Sequence, residues 1–263
     1  MLNLPGGTVM RSFVGWLVAA VGLLAVAACE MGPEITPAKM VQTPDAERIR
    51  AAYPTFARIA QIEGKVWMRC AYTLDGLVER CRKRGVAPEG LNFDKGISGL
   101  LADYIVEPQT IDGRAAPGEI DFVIHFAPPS APPTWEGEPV TDNEMRAARR
   151  LVTAQLGMVD RYGERGNAHR TVAIDRYQPV ADMLDRAFTA EGEARNDAMA
   201  RALVQAMTPE ARRAFRRGGF GGASLYEMEA VSPELFAVNA RIAKRIRDDY
   251  CAAYPCAATR PGS

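Results

Sequence analysis

The chain has 263 residues, 48% of them hydrophobic, with 32 Lys+Arg set against 32 Asp+Glu. That length and apolar content can supply two folded units with real cores. Balanced charge leaves no global field to recruit nucleic acid, and only two histidines, His125 and His169, are present for metal or acid–base chemistry.

Residues 1–29 read as a targeting segment. Arg11 supplies the positive charge, and Phe13 to Ala28 is an apolar run too short for a comfortable span but suited to a signal core. It ends in Val26-Ala27-Ala28-Cys29, which resembles the bacterial lipobox. Cys29 is the expected lipidation site, its thiol carrying a diacylglycerol. Simple cleavage, or retention as a single membrane anchor, are the other outcomes of the same segment. Each exports the chain to an oxidising compartment, where thiols pair. Cys70, Cys81, Cys251 and Cys256 remain, an even number that fits two disulfides.

Residues 30–46, with Pro33, Pro37 and Pro44, read as a short tether. A mixed α/β unit over 47–127 follows. Ala46 to Ala52 reads as a helix, then Tyr53-Pro54 and a second short helix to Gln61. Lys65 to Tyr72 alternates with period two, Val66, Met68, Cys70 and Tyr72 sharing one face, and is expected as a strand. Asp75-Gly76 is a hairpin signal, with Val78 to Arg84 returning. If those two residues are the whole turn, Leu74 faces Leu77, and four steps outward along each strand bring Cys70 opposite Cys81, within disulfide range. A three-residue loop over Leu74 to Gly76 would put the thiols on different faces unless a bulge restored register. Asn92 or Asp94 is expected to cap a helix through Tyr104, with Ile97, Leu100 and Leu101 on one stripe. Glu119 to Phe126 is the third expected strand.

Residues 128–140 form a Pro-rich linker. Residues 141–252 read as all-α. Thr141 caps a helix holding Met145, Ala148, Leu151, Val152 and Leu156. Thr171 to Phe188 is a second helix, with Pro179 permitting a kink or marking a new start. Glu191 to Met207 is a third. Thr208-Pro209-Glu210 and Ser232-Pro233-Glu234 each give a cap, a first-position proline and an acid, opening two more. Leu235, Val238, Ile242 and Ile246 read as core. The tail, 253–263, follows. Cys251 and Cys256 bracket Ala-Ala-Tyr-Pro, and Pro255 lets the chain fold back and close a small loop.

The ordered set Tyr53-Pro54, Ile62-Glu63-Gly64-Lys65-Val66, a strand, Asp75-Gly76, a strand, a helix and a closing strand resembles the C-terminal domain of TonB-type energy transducers, over about residues 50–127. The resemblance implies a small α+β domain (hairpin, helix, third strand) ahead of the all-α unit. It implies a role in binding partner proteins, by pairing an edge strand with a short peptide of an outer-membrane receptor, in TonB-linked transmembrane transport. The transducers' Ser-x-x-x-His membrane motif and long Pro-rich spacer are both missing here, so energy coupling is not carried over. The Met-Thr-Pro-Glu-Ala-Arg-Arg-Ala-Phe stretch loosely resembles helical bacterial secreted domains and assigns no function.

Motifs for chemistry are sparse. No Gly-x-Ser-x-Gly elbow is present, and Gly218-Gly219-Phe220-Gly221-Gly222 lacks the Gly-Lys-Ser/Thr of a phosphate loop and reads as a connector. His125 on its strand and His169 in a loop read as ordinary solvent-facing or hydrogen-bonded residues. Cysteine spacing misses the close pairs of zinc and redox sites. Arg212, Arg213, Arg216 and Arg217 read as a basic, solvated helical face. The expectation is a periplasmic, membrane-anchored protein that is not an enzyme. It has no catalytic residues, metal or cofactor, and binds an envelope protein but no nucleic acid. The alternative is a structural envelope lipoprotein whose helical unit is the working part.

Overall fold

The computed structural model describes residues 32–162, 164–219 and 225–257. Cys29 and the segment before it lie outside these residues, as do Phe220, Gly221, Gly222, residues 258–263 and the side chain of Leu156. The fold is α+β, with small antiparallel sheets followed by helices. Strands β1 (Ile35–Thr36) and β2 (Lys39–Gln42) precede helices α1 (Ala46–Ala52) and α2 (Thr55–Ile59). Then come β3 (Gly64–Tyr72), β4 (Val78–Ala87), a 3-10 turn (Ile97–Asp103), β5 (Ile105–Glu107), β6 (Thr110–Ile111), β7 (Arg114–Ala115) and β8 (Gly118–Phe126). The helical half holds α3 (Asp142–Tyr162), α4 (Glu164–Ala168), α5 (Tyr177–Ala190), α6 (Gly192–Gln205), α7 (Pro209–Arg216), α8 (Leu225–Val231) and α9 (Pro233–Ala253).

The main sheet has the order β4–β3–β8, all antiparallel. Along the central strand the residues Gly64, Val66, Met68, Cys70 and Tyr72 are buried and those between them are half-buried, the period-two pattern expected of a strand covered on one face. The β3–β4 turn differs from the two-residue reading. Thr73 donates its amide to the Leu77 carbonyl and its hydroxyl accepts from the Leu77 amide, so the loop is Leu74-Asp75-Gly76. The neighbouring pairs Tyr72↔Val78 and Ala71↔Glu79 follow that register, and a bulge at Arg80, which sits at φ 45°, shifts it before Arg69↔Arg82. Gly76 adopts φ +80°, and a Cβ there would meet the Val106 carbonyl oxygen at 2.0 Å. Gly76→Ala should therefore lower stability by more than the roughly 1–2 kcal/mol of a left-handed non-glycine residue, read from the urea midpoint.

The expected α-helix from Asn92 or Asp94 is instead a 3-10 turn that begins at Ile97. Gly96, Ser98 and Gly99 are poor helix formers, and Asn92 is held at φ 55° with its amide donating to the Val172 carbonyl at 2.9 Å. Asp94 is engaged by Lys83 rather than by a helix end. Ile97 and Leu100 are buried as the stripe predicted.

Part of the stretch read as tether is strand. Ile35↔Ile111, Thr36↔Thr110, Lys39↔Glu107 and Met40↔Val106 keep one register across Pro37 and Pro108. Residues 35–40 and 106–111 thus form one antiparallel ribbon, interrupted only where the prolines lack a donor. Val106 is buried and Met40 half-buried against the core, which explains why this stretch is pinned.

In the helical half, Thr208 and Ser232 cap α7 and α9, accepting the amides of Ala211 and Leu235, with Pro209 and Pro233 in the first turn. Pro179 falls in the first turn of α5, where its missing donor is harmless, so it marks a new start. Leu235, Val238, Ile242 and Ile246 of α9 are buried. One continuous set of buried side chains runs through both halves. Phe56 is fully buried, with its ring 5.1 Å from Tyr250 and its amide donating to Thr171 Oγ1. Arg176 reaches the Glu89 carbonyl at 3.0 Å, and Arg247 the Gln61 carbonyl at 3.3 Å.

Candidate docking edge of the main sheet

The residues that carry the TonB resemblance assemble around an aromatic group. The Tyr53 ring lies 5.7 Å from Phe93 and 5.4 Å from Phe126, and its hydroxyl donates to the Ile62 carbonyl. Burial pushes that phenol well above its ordinary range, so it stays a neutral donor. Gly64 begins β3 because a Cβ there would sit about 2.3 Å from the Phe93 ring. This cluster fixes the Phe126 end of β8.

The two outer strands of the sheet are unlike each other. Strand β4 carries two register shifts, at Arg80 and Arg84, and its middle reads Arg80-Cys81-Arg82-Lys83-Arg84. Bulges and a run of cations are the devices that stop a neighbouring chain from pairing with an edge. Strand β8 has neither. Its register with β3 is unbroken from Gly64↔Phe126 to Tyr72↔Gly118, and no strand lies beyond it among the described residues. Pro117 and Pro128 bound it, so a pairing segment of about nine residues fits its length.

Outward from β8 point Glu119, Asp121, Val123 and His125; Ile124 and Phe126 point into the core, with Ile120 and Phe122 half-buried between. The carboxylates are already matched: Arg69 grips Asp121, with one contact at 2.6 Å, and Arg82 reaches Glu119 at 3.0 Å. Val123 stands opposite Trp67 and is 46% exposed. A wide-open cleft of about 450 Å³ crosses the sheet at the start of β8, lined by Ala71 and Tyr72 of β3, Arg80 and Arg82 of β4, and Pro117, Gly118 and Glu119. An edge that offers backbone groups beside a side-chain cleft can take an added strand.

His125 is exposed on the strand, 3.7 Å from Glu63, and His169 lies in a 3-10 turn, edge-on to the Tyr177 ring. Cys70 and Cys81 are joined by a disulfide, as are Cys251 and Cys256. The Arg80 bulge is what returns Cys81 to the side of Cys70 despite the three-residue loop. Peptide mapping without reductant should recover 70 linked to 81 and 251 linked to 256; any crossed pair would contradict the hairpin register. Among the described residues, no group of three or more His, Cys, Asp and Glu could hold a metal ion, and no helix is long and apolar enough to cross a membrane.

The basic face of α7 turns inward at Arg212, while Arg216 stays exposed and still reaches the same carboxylate. Arg212 is buried and forks onto Glu144, Nε to Oε1 at 2.8 Å and Nη2 to Oε2 at 2.9 Å. It also donates to the carbonyls of Glu138 and Pro139. Arg216 donates to Glu144 and Glu138, while Arg213 pairs with Glu210 on the exposed side. Glu144 closes a capping box as well, accepting the amide and hydroxyl of Thr141. Its carboxyl is held far below the ordinary range, first by Arg212. The sequence marks Thr141 as the cap of this helix; it does not show the reciprocal role of Glu144, or its partner Arg212 on a distant helix.

No family model, no curated protein and no solved structure matches this chain.

Proposed function

We propose that this chain is an envelope-anchored, periplasmic TonB-like binding protein, not an enzyme, that takes up an extended segment of a partner protein along β8. The observation that carries this reading is the contrast between a regular, open β8 and a bulged, cationic β4 in the same sheet. Backbone pairing along β8 would supply affinity, and the outward row ending at Val123 and His125 would supply choice. The lipobox-like Cys29 supports the anchored location. The TonB resemblance supports an outer-membrane receptor or another envelope protein as partner, in TonB-linked transmembrane transport; energy coupling is not part of the proposal.

Crosslinking capture from native envelopes tests the edge. A lysine in the outward row should block strand addition, so Val123→Lys should reduce the captured partner at least about tenfold, while the β-branched Val123→Thr retains it. Equal capture by both variants would remove β8 as the docking edge.

A further inference from the structure

Seven large apolar side chains are exposed among the described residues, and five of them, Ile35, Val41, Leu74, Leu77 and Ile111, lie on the ribbon of residues 35–42 and 105–111 or on the hairpin tip bonded to it. Ile35 and Ile111 face each other across the ribbon, at 59% and 39% exposure. Residues 35 to 37, 39 and 41 are exposed, whereas Ala38 and Met40 are half-buried, so from Pro37 to Val41 the ribbon has an outward and an inward row. Along residues 35–41 that row is apolar apart from Lys39, which faces Glu107 across the ribbon, and exposed Arg114, Asp112 and Glu34 rim its Ile35–Ile111 end. Leu74 and Leu77 belong to the hairpin tip that abuts β5, where Leu77 bridges Ile105 and Val106 donates to the Gly76 carbonyl.

The ribbon begins six residues after Cys29. Six residues span at most about 20 Å when fully extended, and part of that is spent crossing a headgroup layer some 5–7 Å deep. We infer that this apolar end, Ile35 and Ile111 with Leu74 and Leu77, rests on the lipid surface beside the anchor. The inference relies on the anchored reading of Cys29. Burying aliphatic side chains at the interface is favourable and adds to the hold of the diacylglycerol on Cys29. It also sets an orientation. The far ends of β3 and β4, where Gly90 bonds Ala173 beside the exposed Ile174, lie about 30 Å away along a ten-residue strand. That places the helical half away from the lipid.

The test uses the full chain, produced in a bacterial host and reconstituted into phosphatidylcholine vesicles. A nitrobenzoxadiazole probe is placed on Ile111→Cys and, in a second protein, on Ile174→Cys. Flotation with the vesicles reports the anchor alone. Nitroxide-bearing lipid should then quench the probe at 111 several-fold more than the probe at 174. A chain that does not float overturns the anchor and the docking together. A chain that floats with equal quenching at both positions overturns the docking and leaves the anchor standing. A blue-shifted probe at 111 without quenching would put a protein surface in place of lipid and also overturn it.

Discussion

Glu144→Ala should destabilise the fold by about 3–5 kcal/mol, the cost of taking from the buried Arg212 guanidinium the carboxylate it forks onto and leaving it only Glu138 at 3.6 Å. The pair is 7% and 1% exposed at its side chains, so solvent cannot substitute for the lost carboxylate. The substitution also removes half of the capping box at the start of α3 and releases Arg212 from the geometry in which it holds the carbonyls of Glu138 and Pro139. Urea unfolding followed by circular dichroism checks the size; a loss below about 1 kcal/mol would put the pair in water rather than in the interior. Replacing both partners, Glu144→Ala with Arg212→Met, should recover part of the loss, because no charge is then stranded. The same carboxylate sets a pH dependence. Its folded value is depressed, so its contribution is fully present above the unfolded carboxylate value of about 4.3 and is lost as pH falls below that toward the folded value. Between pH 5 and 3 the wild type should lose more stability than Glu144→Gln.

Phe56→Ala should cost about 3–5 kcal/mol, from lost burial and the cavity left behind. Phe56 is fully buried in the short helix α2 and packs on Tyr250 of α9, so its ring joins the α/β segment to the last helix. Phe56→Leu keeps most of the volume and should cost less. The measurement is again the urea transition, and equal effects for the two variants would show that ring volume at this junction is not what is felt.

The strands and helix caps were legible because their signals are local. Period-two alternation placed β3 and β8 within a residue of their ends, and Thr-Pro-Glu and Ser-Pro-Glu marked the starts of α7 and α9. Cys70 and Cys81 paired as expected, but through a different turn. A single residue at Arg80 takes up the register, and nothing in its side chain announces a left-handed backbone. The helix expected before Tyr104 failed where Gly96 and Gly99 weakened it and where Asn92 was drawn to a distant carbonyl. The ribbon of residues 35–40 was missed because it pairs with a segment some seventy residues on, and its prolines read as tether. Likewise, Arg212 and Arg216 looked like a solvated face until a carboxylate from α3 met them. For the candidate site, β8 could be read as a strand, but which strand is an open edge depends on sheet order, and a single strand's pattern does not carry that.

Amide exchange along β8 reads strand addition itself. The partner captured from envelopes is added back to the full chain, and amide hydrogen exchange is followed residue by residue with and without it. Strand addition predicts that alternate amides between Gly118 and Phe126, those directed away from β3, become strongly protected in the complex, while β4 is unchanged. Protection confined to the helices from α5 to α9, with β8 exchanging as in the free chain, would rule out strand addition at β8 and make the helical half the binding surface.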